Sequence, residues 1–321
     1  MKRYFDVVAL GELLIDFAPK AVNGAGYPTL AANPGGAPGN FLAALNQYGC
    51  KTAMIGKVGD DLFGRLLIKT LQNAGIETKG VRMDENQFTT LAFVSLDESG
   101  NRDFSFARKP GADTCLQPEE IDESLIADAK VFHFGTLSLT DEPAASATRK
   151  AIELAKAHGL LISLDPNLRK PLWKNEADAK AAMEWSLKQA DIVKISDEEI
   201  EFLWGLSPQE GARKLLTEYG VSLSYITLGP KGCYAATAAH EITVKSPAGI
   251  QVVDTTGAGD IFGGSAMSQF LQYKKSPSDL TKEELTQIVR FACTAASLST
   301  QKHGGITSVP DKQEVVDRLN A

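Results

Sequence analysis

The sequence has little cysteine and little histidine, with four of each in 321 residues. The cysteines stand far apart, no two form a Cys-x-x-Cys pair, and no histidine near them has the spacing of a metal ligand. Disulfide frameworks and structural zinc sites both depend on such clusters. The sequence therefore predicts neither, and indicates a fold that depends on its hydrophobic core.

Long apolar runs and excess positive charge are absent as well. No apolar run approaches the roughly 18 residues of a membrane span, and Asp6 and Glu12 interrupt any apolar region of a signal peptide. A net charge of -7 argues against general binding to nucleic acid or anionic membranes. With 43% hydrophobic and 23% charged residues, the composition is ordinary for a globular protein. We expect a cytoplasmic protein with no membrane or nucleic-acid partner.

The middle of the chain alternates between short apolar runs and helical patterns. Strand-like runs occupy 131–134, 160–164, 192–195 and 225–228, with helix-like stretches at 144–158 and 177–189. Buried strands that alternate with helices predict a mainly parallel sheet covered on both faces. A further strand is predicted at 7–10, near the N-terminus.

A different pattern occurs between Thr89 and Arg108. Strand-like residues 89–96, turn-like residues 98–101 and alternating residues 103–106 predict a β-hairpin. Together with a second segment, this gives a small antiparallel lid with strands at about 17–32 and 88–110. No linker is visible, so 1–321 is predicted to be a single domain. Because a small sheet has edges that need covering, we expect a homodimer that forms through the lid.

The most informative stretch runs from Val252 to Asp260. We predict a strand that ends at Val253, a glycine-rich turn, and a helical run from about Ile261. Unpaired N–H groups and the dipole at a helix start favour an anion, and glycines allow a phosphate to approach closely. Asp260 is then either a favourable first-turn acid or a base for a hydroxyl that attacks phosphorus.

The same stretch also matches a Gly-x-Gly-x-x-x-Gly pattern, from Gly257 to Gly263, which is close to a dinucleotide fingerprint. The remaining chain offers no second βαβ strand with a ribose-binding acid. We therefore do not favour a nicotinamide-dependent enzyme.

Three further polar features each allow two interpretations. The segment before Phe41 is either a loop that Asn40 ends as helix N-cap, or a close-fitting wall for a polyol. Asp165 to Arg169 is either a simple turn or a ligand loop, since ligands of open α/β sheets bind beyond the carboxyl ends of strands. Lys194 is either a surface lysine at a strand end or a phosphate contact.

Two glycine-rich segments, 35–40 (GGAPGN) and 254–260 (DTTGAGD), resemble the two motifs of the PfkB (ribokinase-like) carbohydrate kinase family. The likeness covers nearly the whole chain and extends through 56–61, 165–169, 196–199 and 227–232. Within the family, segments 5–17, 107–113 and 165–173 are most similar to the fructokinases. The resemblance implies a ribokinase-like three-layer α/β/α sandwich with a mostly parallel central sheet and a small β-sheet lid.

The resemblance also implies an activity: transfer of the γ-phosphate of ATP to the terminal hydroxyl of fructose, which gives fructose 6-phosphate. Asp260 would be the catalytic base, and the amides of Gly257, Ala258 and Gly259 would form an anion hole. The implied sugar ligands are Asp16, Gly35, Gly36, Asn40, Arg108, Asn167 and Arg169. The implied nucleotide contacts are Lys194, Ser196, Glu199, Thr227, Gly229 and Gly232.

Metal ions are implied too. Glu199 would order water around Mg²⁺, and many relatives bind a monovalent cation such as K⁺ where this chain has Asp254, Thr256, Gly304 and Ser308. Ser196 and Cys293 depart from the family, since asparagine is usual at the first position and common at the second, near the adenine pocket.

Two alternatives to a fructokinase stay open. One is another kinase of the same family, of the 2-keto-3-deoxygluconate or ribokinase type, because Arg108 and Arg169 together leave room for an acidic sugar. The other is a non-catalytic regulator that binds sugar or nucleotide, against which the intact Gly257, Gly259 and Asp260 argue.

Overall fold

The computed structural model describes residues 3–96 and 102–320, so the predicted hairpin turn at 98–101 lies outside the described residues. The strands are β1 (Phe5–Leu10), β2 (Leu14–Val22), β3 (Pro28–Gly35), β4 (Thr52–Gly59), β5 (Glu77–Asp84), β6 (Thr90–Leu96), β7 (Arg102–Ala107), β8 (Ala129–Phe134), β9 (Leu161–Leu164), β10 (Ile192–Ser196), β11 (Leu223–Thr227), β12 (Cys233–Thr237) and β13 (Glu241–Val244). The helices are α1 (Ala37–Gln47), α2 (Leu62–Asn73), α3 (Glu123–Ala127), α4 (Ala144–Ala157), α5 (Glu176–Leu187), α6 (Asp197–Trp204), α7 (Pro208–Glu218), α8 (Ala258–Tyr273), α9 (Lys282–Ser299) and α10 (Lys312–Asn320).

The central sheet has nine strands in the order β13-β12-β11-β10-β9-β8-β1-β4-β5. Strands β8 to β11 pair in parallel, as the alternating pattern between 130 and 230 predicted, and β12 and β13 add an antiparallel edge. Because the parallel strands share one direction, the loops after β1, β8, β9, β10 and β11 meet at a single edge of the sheet.

Helices cover both faces of this sheet. Along β1, Val8 and Leu10 belong to one buried cluster, whereas Val7 and Ala9 belong to another on the opposite face. Such alternation follows from the two-residue period of a strand, and burial on both faces explains why the strand is continuously apolar. The predicted three-layer α/β/α sandwich is confirmed. No helix in the described ranges combines the length and apolar character that a membrane crossing requires.

A separate sheet of four strands, in the order β3-β2-β6-β7, projects from the central sheet. Its strands come from the two predicted segments, although β2 starts and β3 ends three residues outside the predicted range of about 17–32. The prediction that this sheet is antiparallel is wrong for β2 and β6, which pair in parallel, an arrangement that the long crossover between them allows. The Phe17 ring stacks on Phe93 of β6, with centroids 5.2 Å apart, and meets Phe63 of α2 edge-on at 5.5 Å. These contacts join the base of the small sheet to the rest of the fold.

Two local predictions are wrong. The strand predicted to end at Val253 is absent: Val252 and Val253 are exposed, and the N–H groups of Val253 and Asp254 donate to the Thr300 carbonyl instead. Helix α8 consequently begins at Ala258, earlier than predicted.

Helix α1 also begins earlier than its sequence pattern predicted. It starts at Ala37 with Gly36 as N-cap, so that Asn40 lies inside the first turn and is not the cap. Gly36 has φ 115°, and an added Cβ would lie 2.3 Å from the Glu12 carbonyl oxygen, so only glycine fits there. Proline in the first turn then continues the helix, since its missing N–H is not needed at that position.

Candidate active site

The start of α8 opens directly onto a cleft. Gly257 is the N-cap in the left-handed region, with φ 74°, and a Cβ there would lie 2.9 Å from the Gly305 Cα. No side chain caps this helix start, although the Ala258 N–H donates to the Thr255 carbonyl at 3.3 Å. Ala258 and Gly259 both line the cleft. The helix dipole and the backbone N–H groups therefore face a space in which an anion can bind.

Asp260 lies in the first turn of α8 and is 7% exposed. The Asn40 side-chain amide donates to its Oδ2 at 2.8 Å, and the Asn167 amide donates to its Oδ1, also at 2.8 Å. Burial raises the pKa of Asp260, and Lys194 and the Asn40 amide offset part of that rise. Each carboxylate oxygen is thus fixed by one donor and keeps lone pairs for a further proton.

Lys194 forms a buried ion pair beneath this helix start. Its Nζ lies 2.9 Å from the Asp165 Oδ2, and both side chains are largely buried. Burial disfavours the charged ammonium, but Asp165, Glu199 and Asp260 raise the pKa of Lys194, so that it stays protonated. A Cβ on Gly259 would lie 2.9 Å from this Nζ. The interpretation of Lys194 as a surface lysine is therefore wrong, and a fixed positive charge lies behind the proposed anion hole.

Sequence analysis did not single out Asp165 itself as a functional residue. It follows β9 directly, is 5% exposed, and burial raises its pKa to about 7. The available signal was an acidic residue next to a buried strand, but the same pattern is also typical of a turn.

Ser196 and Glu199 connect α6 to the loop after β9. Ser196 is the N-cap of α6, where its hydroxyl accepts from the Glu199 N–H at 3.1 Å and Glu199 reaches back to the Ser196 N–H at 2.8 Å. The other oxygen of Glu199 accepts from the Leu168 N–H at 2.7 Å. Since serine and asparagine cap helices about equally well, the departure at Ser196 preserves the local structure.

The cleft itself has a volume of about 1250 Å³ and lies along the carboxyl edge of the sheet. Every residue predicted to contact a nucleotide lines it: Lys194, Ser196, Glu199, Thr227, Gly229 and Gly232. So does Cys293, which is buried in α9. Other lining residues were not predicted, among them Phe106, Ile250, Val252, Ala296, Ser297 and Thr300. These come from the small sheet, the loop before α8 and helix α9, and no local motif marks them.

The residues predicted to hold a sugar come partly from the small sheet and the segments next to it, and partly from the loop after β9. A Cβ on Gly35 would lie 2.6 Å from the Asp16 Oδ2, so Asp16 and the glycine-rich wall are in direct contact. The buried Asn40 Oδ1 has no hydrogen-bond partner within the described part of the chain. Because buried acceptors are rarely left unpaired, this oxygen can accept from a ligand hydroxyl. Asn167 and Arg169 line the cleft next to it.

Arg108 differs from the other predicted sugar ligands because the protein already engages it. Its side chain is 2% exposed and forms an ion pair with Asp113 at 2.7 Å. It also donates to the Thr140 hydroxyl at 2.9 Å and to the Leu137 carbonyl at 3.0 Å.

The four residues predicted for a monovalent cation lie in two loops that meet. The Asp254 carboxylate accepts from the Thr256 N–H at 2.8 Å and from the Gly304 N–H at 3.1 Å. The Ser308 hydroxyl donates to the Gly305 carbonyl at 2.9 Å. Since Gly305 also contacts Gly257, this junction lies against the start of α8.

Comparison with known proteins agrees with this arrangement. The model of the pfkB family of carbohydrate kinases matches residues 5–312. Fructokinase-1 of Zea mays is 41% identical over 318 residues, which cover 98% of this chain and 97% of that protein.

Solved structures agree as well. A fructokinase from Xylella fastidiosa with bound ATP superposes with a TM-score of 0.90 at 29% identity, over 98% of both chains. A double mutant of Vibrio cholerae fructokinase, bound to fructose, ADP and potassium ion, has a TM-score of 0.86 at 29% identity, over 99% of this chain and 100% of that one.

Proposed function

The chain belongs to the pfkB family of carbohydrate kinases, and we propose that it is a fructokinase, which transfers the γ-phosphate of ATP to the terminal hydroxyl of fructose and gives fructose 6-phosphate. The name of the maize relative and the fructose and ADP bound to the Vibrio structure support this substrate. The observation that carries the proposal is Asp260, which two amides hold at an uncapped helix start beside the cleft.

Asp260 accepts the proton of the attacking hydroxyl. Because the Asn40 and Asn167 amides each bond one carboxylate oxygen, the carboxylate cannot rotate away from the sugar. The amides of Gly257, Ala258 and Gly259 stabilise negative charge that develops on the transferred phosphoryl group, and Lys194 adds a positive charge from behind. Asp16, Gly35, Gly36 and Asn40 orient the sugar, while closure of the small sheet excludes water.

The remaining predicted residues bind the nucleotide and ions. Thr227 ends β11, and Gly229 and Gly232 follow it. All three line the ATP part of the cleft, with Lys194 and Ser196 nearer its phosphates. Magnesium would supply charge neutralisation on the phosphates. Glu199, which lines the cleft, would hold this ion through bound water.

Potassium would bind at the junction of the two loops, through Asp254, Thr256, Gly304 and Ser308. The buried Asp254 carboxylate supplies negative charge there, and oxygen ligands suit a hard cation. The junction lies against Gly257, the N-cap of α8. An ion at this position would therefore strengthen the positive electrostatic potential at the start of that helix.

The test is ADP release by the purified protein with Mg-ATP and a panel of fructose, ribose, glucose, adenosine and 2-keto-3-deoxygluconate. We expect turnover with fructose, and a fall in kcat of about 10²–10⁴-fold in Asp260→Asn because its general base is lost. A thermal shift with ATP verifies that the variant still folds and binds. Turnover of another panel member alone would refute fructose as the substrate, and binding without turnover would favour a regulator.

Dimerisation through the small sheet is the second part of the proposal. Val22, Tyr27 and Leu30 are 70%, 68% and 40% exposed on the outer half of strands β2 and β3 and their connection. Large apolar side chains on an edge strand favour association with a second copy. Sedimentation analysis should show a dimer for the wild type and a monomer for Tyr27→Asp, and a monomeric wild type would contradict the proposal.

A further inference from the structure

Arg108 is held by protein groups on every side. Its Nε and Nη2 lie 2.8 and 2.7 Å from the same oxygen of Asp113, and both side chains are 2% exposed. Its Nη1 donates to Thr140 and its Nη2 to the Leu137 carbonyl. Asp113 is fixed in turn, since its second oxygen accepts from the Thr90 hydroxyl at the start of β6. The pair therefore has one geometry and little freedom to turn toward a ligand.

The position of Arg108 is nevertheless next to the sugar side of the cleft. Phe106, two residues earlier on the same face of the chain, lines the cleft. The Glu12 carboxylate, which interacts electrostatically with Arg108, accepts from the Ala37 N–H at 2.8 Å, directly beside Gly36 of the sugar wall. If its guanidinium were not paired, Arg108 would be a cation at the rim of the sugar site.

The charges around Arg108 are unfavourable for an anionic ligand. Although burial lowers the pKa of Arg108, the acidic groups Asp113, Glu12 and Asp141 raise it. Even with Glu12 protonated, one cation faces the two carboxylates of Asp113 and Asp141. A carboxylate on a substrate would meet like charge and a guanidinium most of whose donors already bond protein groups. Rejection of a competing ligand by repulsion is a recognised source of specificity.

We propose that Asp113 is a specificity-determining residue that restricts this site to neutral sugars, because it neutralises and immobilises Arg108, the residue that would otherwise bind the carboxylate of a sugar acid. The proposal rests on the proposed function, since it specifies the substrate class of the same site. Arg169, which lines the cleft close to Asp260, keeps its place beside the transferred group. The presence of two arginines is thus compatible with a neutral substrate.

The experiment compares kcat/KM for fructose and for 2-keto-3-deoxygluconate at saturating Mg-ATP. In Asp113→Asn the side chain keeps its shape but loses its charge. The ratio of activity on the acid to activity on fructose should rise by about tenfold or more, mainly through a lower KM for the acid. Asp113→Glu, which keeps the negative charge, should have the activity ratio of the wild type. Arg108→Gln added to Asp113→Asn should abolish the rise in this ratio.

The matched control is Asp84→Asn. Asp84 forms a comparable buried ion pair with Lys57, at 3.1 Å with side chains 12% and 9% exposed, and lies at the end of the edge strand β5 of the central sheet. Loss of this pair lowers stability without changing the charge near the sugar, so the substrate ratio should stay at the wild-type value. An unchanged ratio in folded Asp113→Asn, or an equal rise in the control, would overturn the proposal.

If Asp113→Asn does not fold, inhibition of the wild-type enzyme supplies the answer. Gluconate should inhibit turnover of the neutral sugar at least about a hundredfold more weakly than glucitol, its neutral counterpart of similar size. Equal inhibition by the two compounds would overturn the proposal. A wild type that prefers ribose to fructose would refute the proposed function alone, because the acid-to-neutral ratio can then be measured with ribose.

Discussion

Replacement of Glu12 by glutamine should make the protein more stable at neutral pH. The gain in stability over the wild type should be smaller at acidic pH. Glu12 is 4% exposed, and its Oε1 accepts from the Ala37 N–H at the start of α1. Burial raises the pKa of Glu12 from 4.5 to about 7, and the bond from Ala37 and the charge of Arg108 offset part of the rise. Glutamine keeps the accepting oxygen and removes the charge that burial penalises.

The magnitude follows from the difference in pKa between the folded and unfolded chain. A rise from 4.5 to about 7 corresponds to about 3 kcal/mol, at 1.36 kcal/mol for each pKa unit. Because the folded pKa is raised, the neutral carboxyl contributes this stability in full below about pH 4.5, and it is lost as pH rises through about 7. The advantage of Glu12→Gln over the wild type should therefore grow by about 3 kcal/mol between about pH 4 and pH 8.

Urea unfolding measured across this pH range tests the reasoning, with the free energy of unfolding of each variant plotted against pH. Glu210→Gln is a control of opposite sign, because Ser207 lowers the pKa of exposed Glu210, whose contribution is present at neutral pH and lost on acidification. If the Glu12→Gln and wild-type curves run parallel from acidic to neutral pH, Glu12 is ionised in the folded state and the argument from burial is wrong.

Three further predictions concern other parts of the molecule. Gly259→Ala places a methyl group 2.9 Å from the Lys194 Nζ, so kcat should fall by about tenfold or more. Gly24→Ala, whose added methyl group has nothing within 4 Å, should leave kcat unchanged. Equal kcat values for the two variants would contradict the role of Lys194. Ser207→Ala removes the N-cap of α7 and should cost about 1 kcal/mol in urea unfolding without a change in turnover. Asp254→Ala should abolish the activation by K⁺ that we expect in the wild type relative to tetramethylammonium, and a variant still activated by K⁺ would exclude this loop junction as the cation site.

Several features of the protein could be predicted because they depend on residues that are close in the chain. Strands β8 to β11 were visible as apolar runs separated by helical periods, and burial on both faces makes such runs continuous. The start of a helix near Asp260 was visible because glycines supply the left-handed N-cap and the close approach that a phosphate requires. The motifs that resemble the PfkB family are equally local, and the family they indicated is confirmed.

Other features depended on which segments pack together. The chain before Gly257 looked like a strand because it is apolar, but the Thr300 carbonyl, from the end of α9, satisfies its N–H groups and no neighbouring strand does. The sequence allowed both a surface position and a phosphate contact for Lys194, and the buried position follows from Asp165, which the loop after β9 places beside it. In both cases the deciding partner comes from an element far away in sequence, so its effect cannot be predicted from the local pattern.

The family, the layered fold and the proposed base could all be predicted from residues that are close together in the chain. The surroundings of that base depend on long-range packing: the Asn40 amide bonds Asp260 across 220 residues of chain, and Asp113 pairs with Arg108. The physical reason is that a helix or strand period is a property of neighbouring residues, whereas the partner of a buried polar group is set by packing between distant elements.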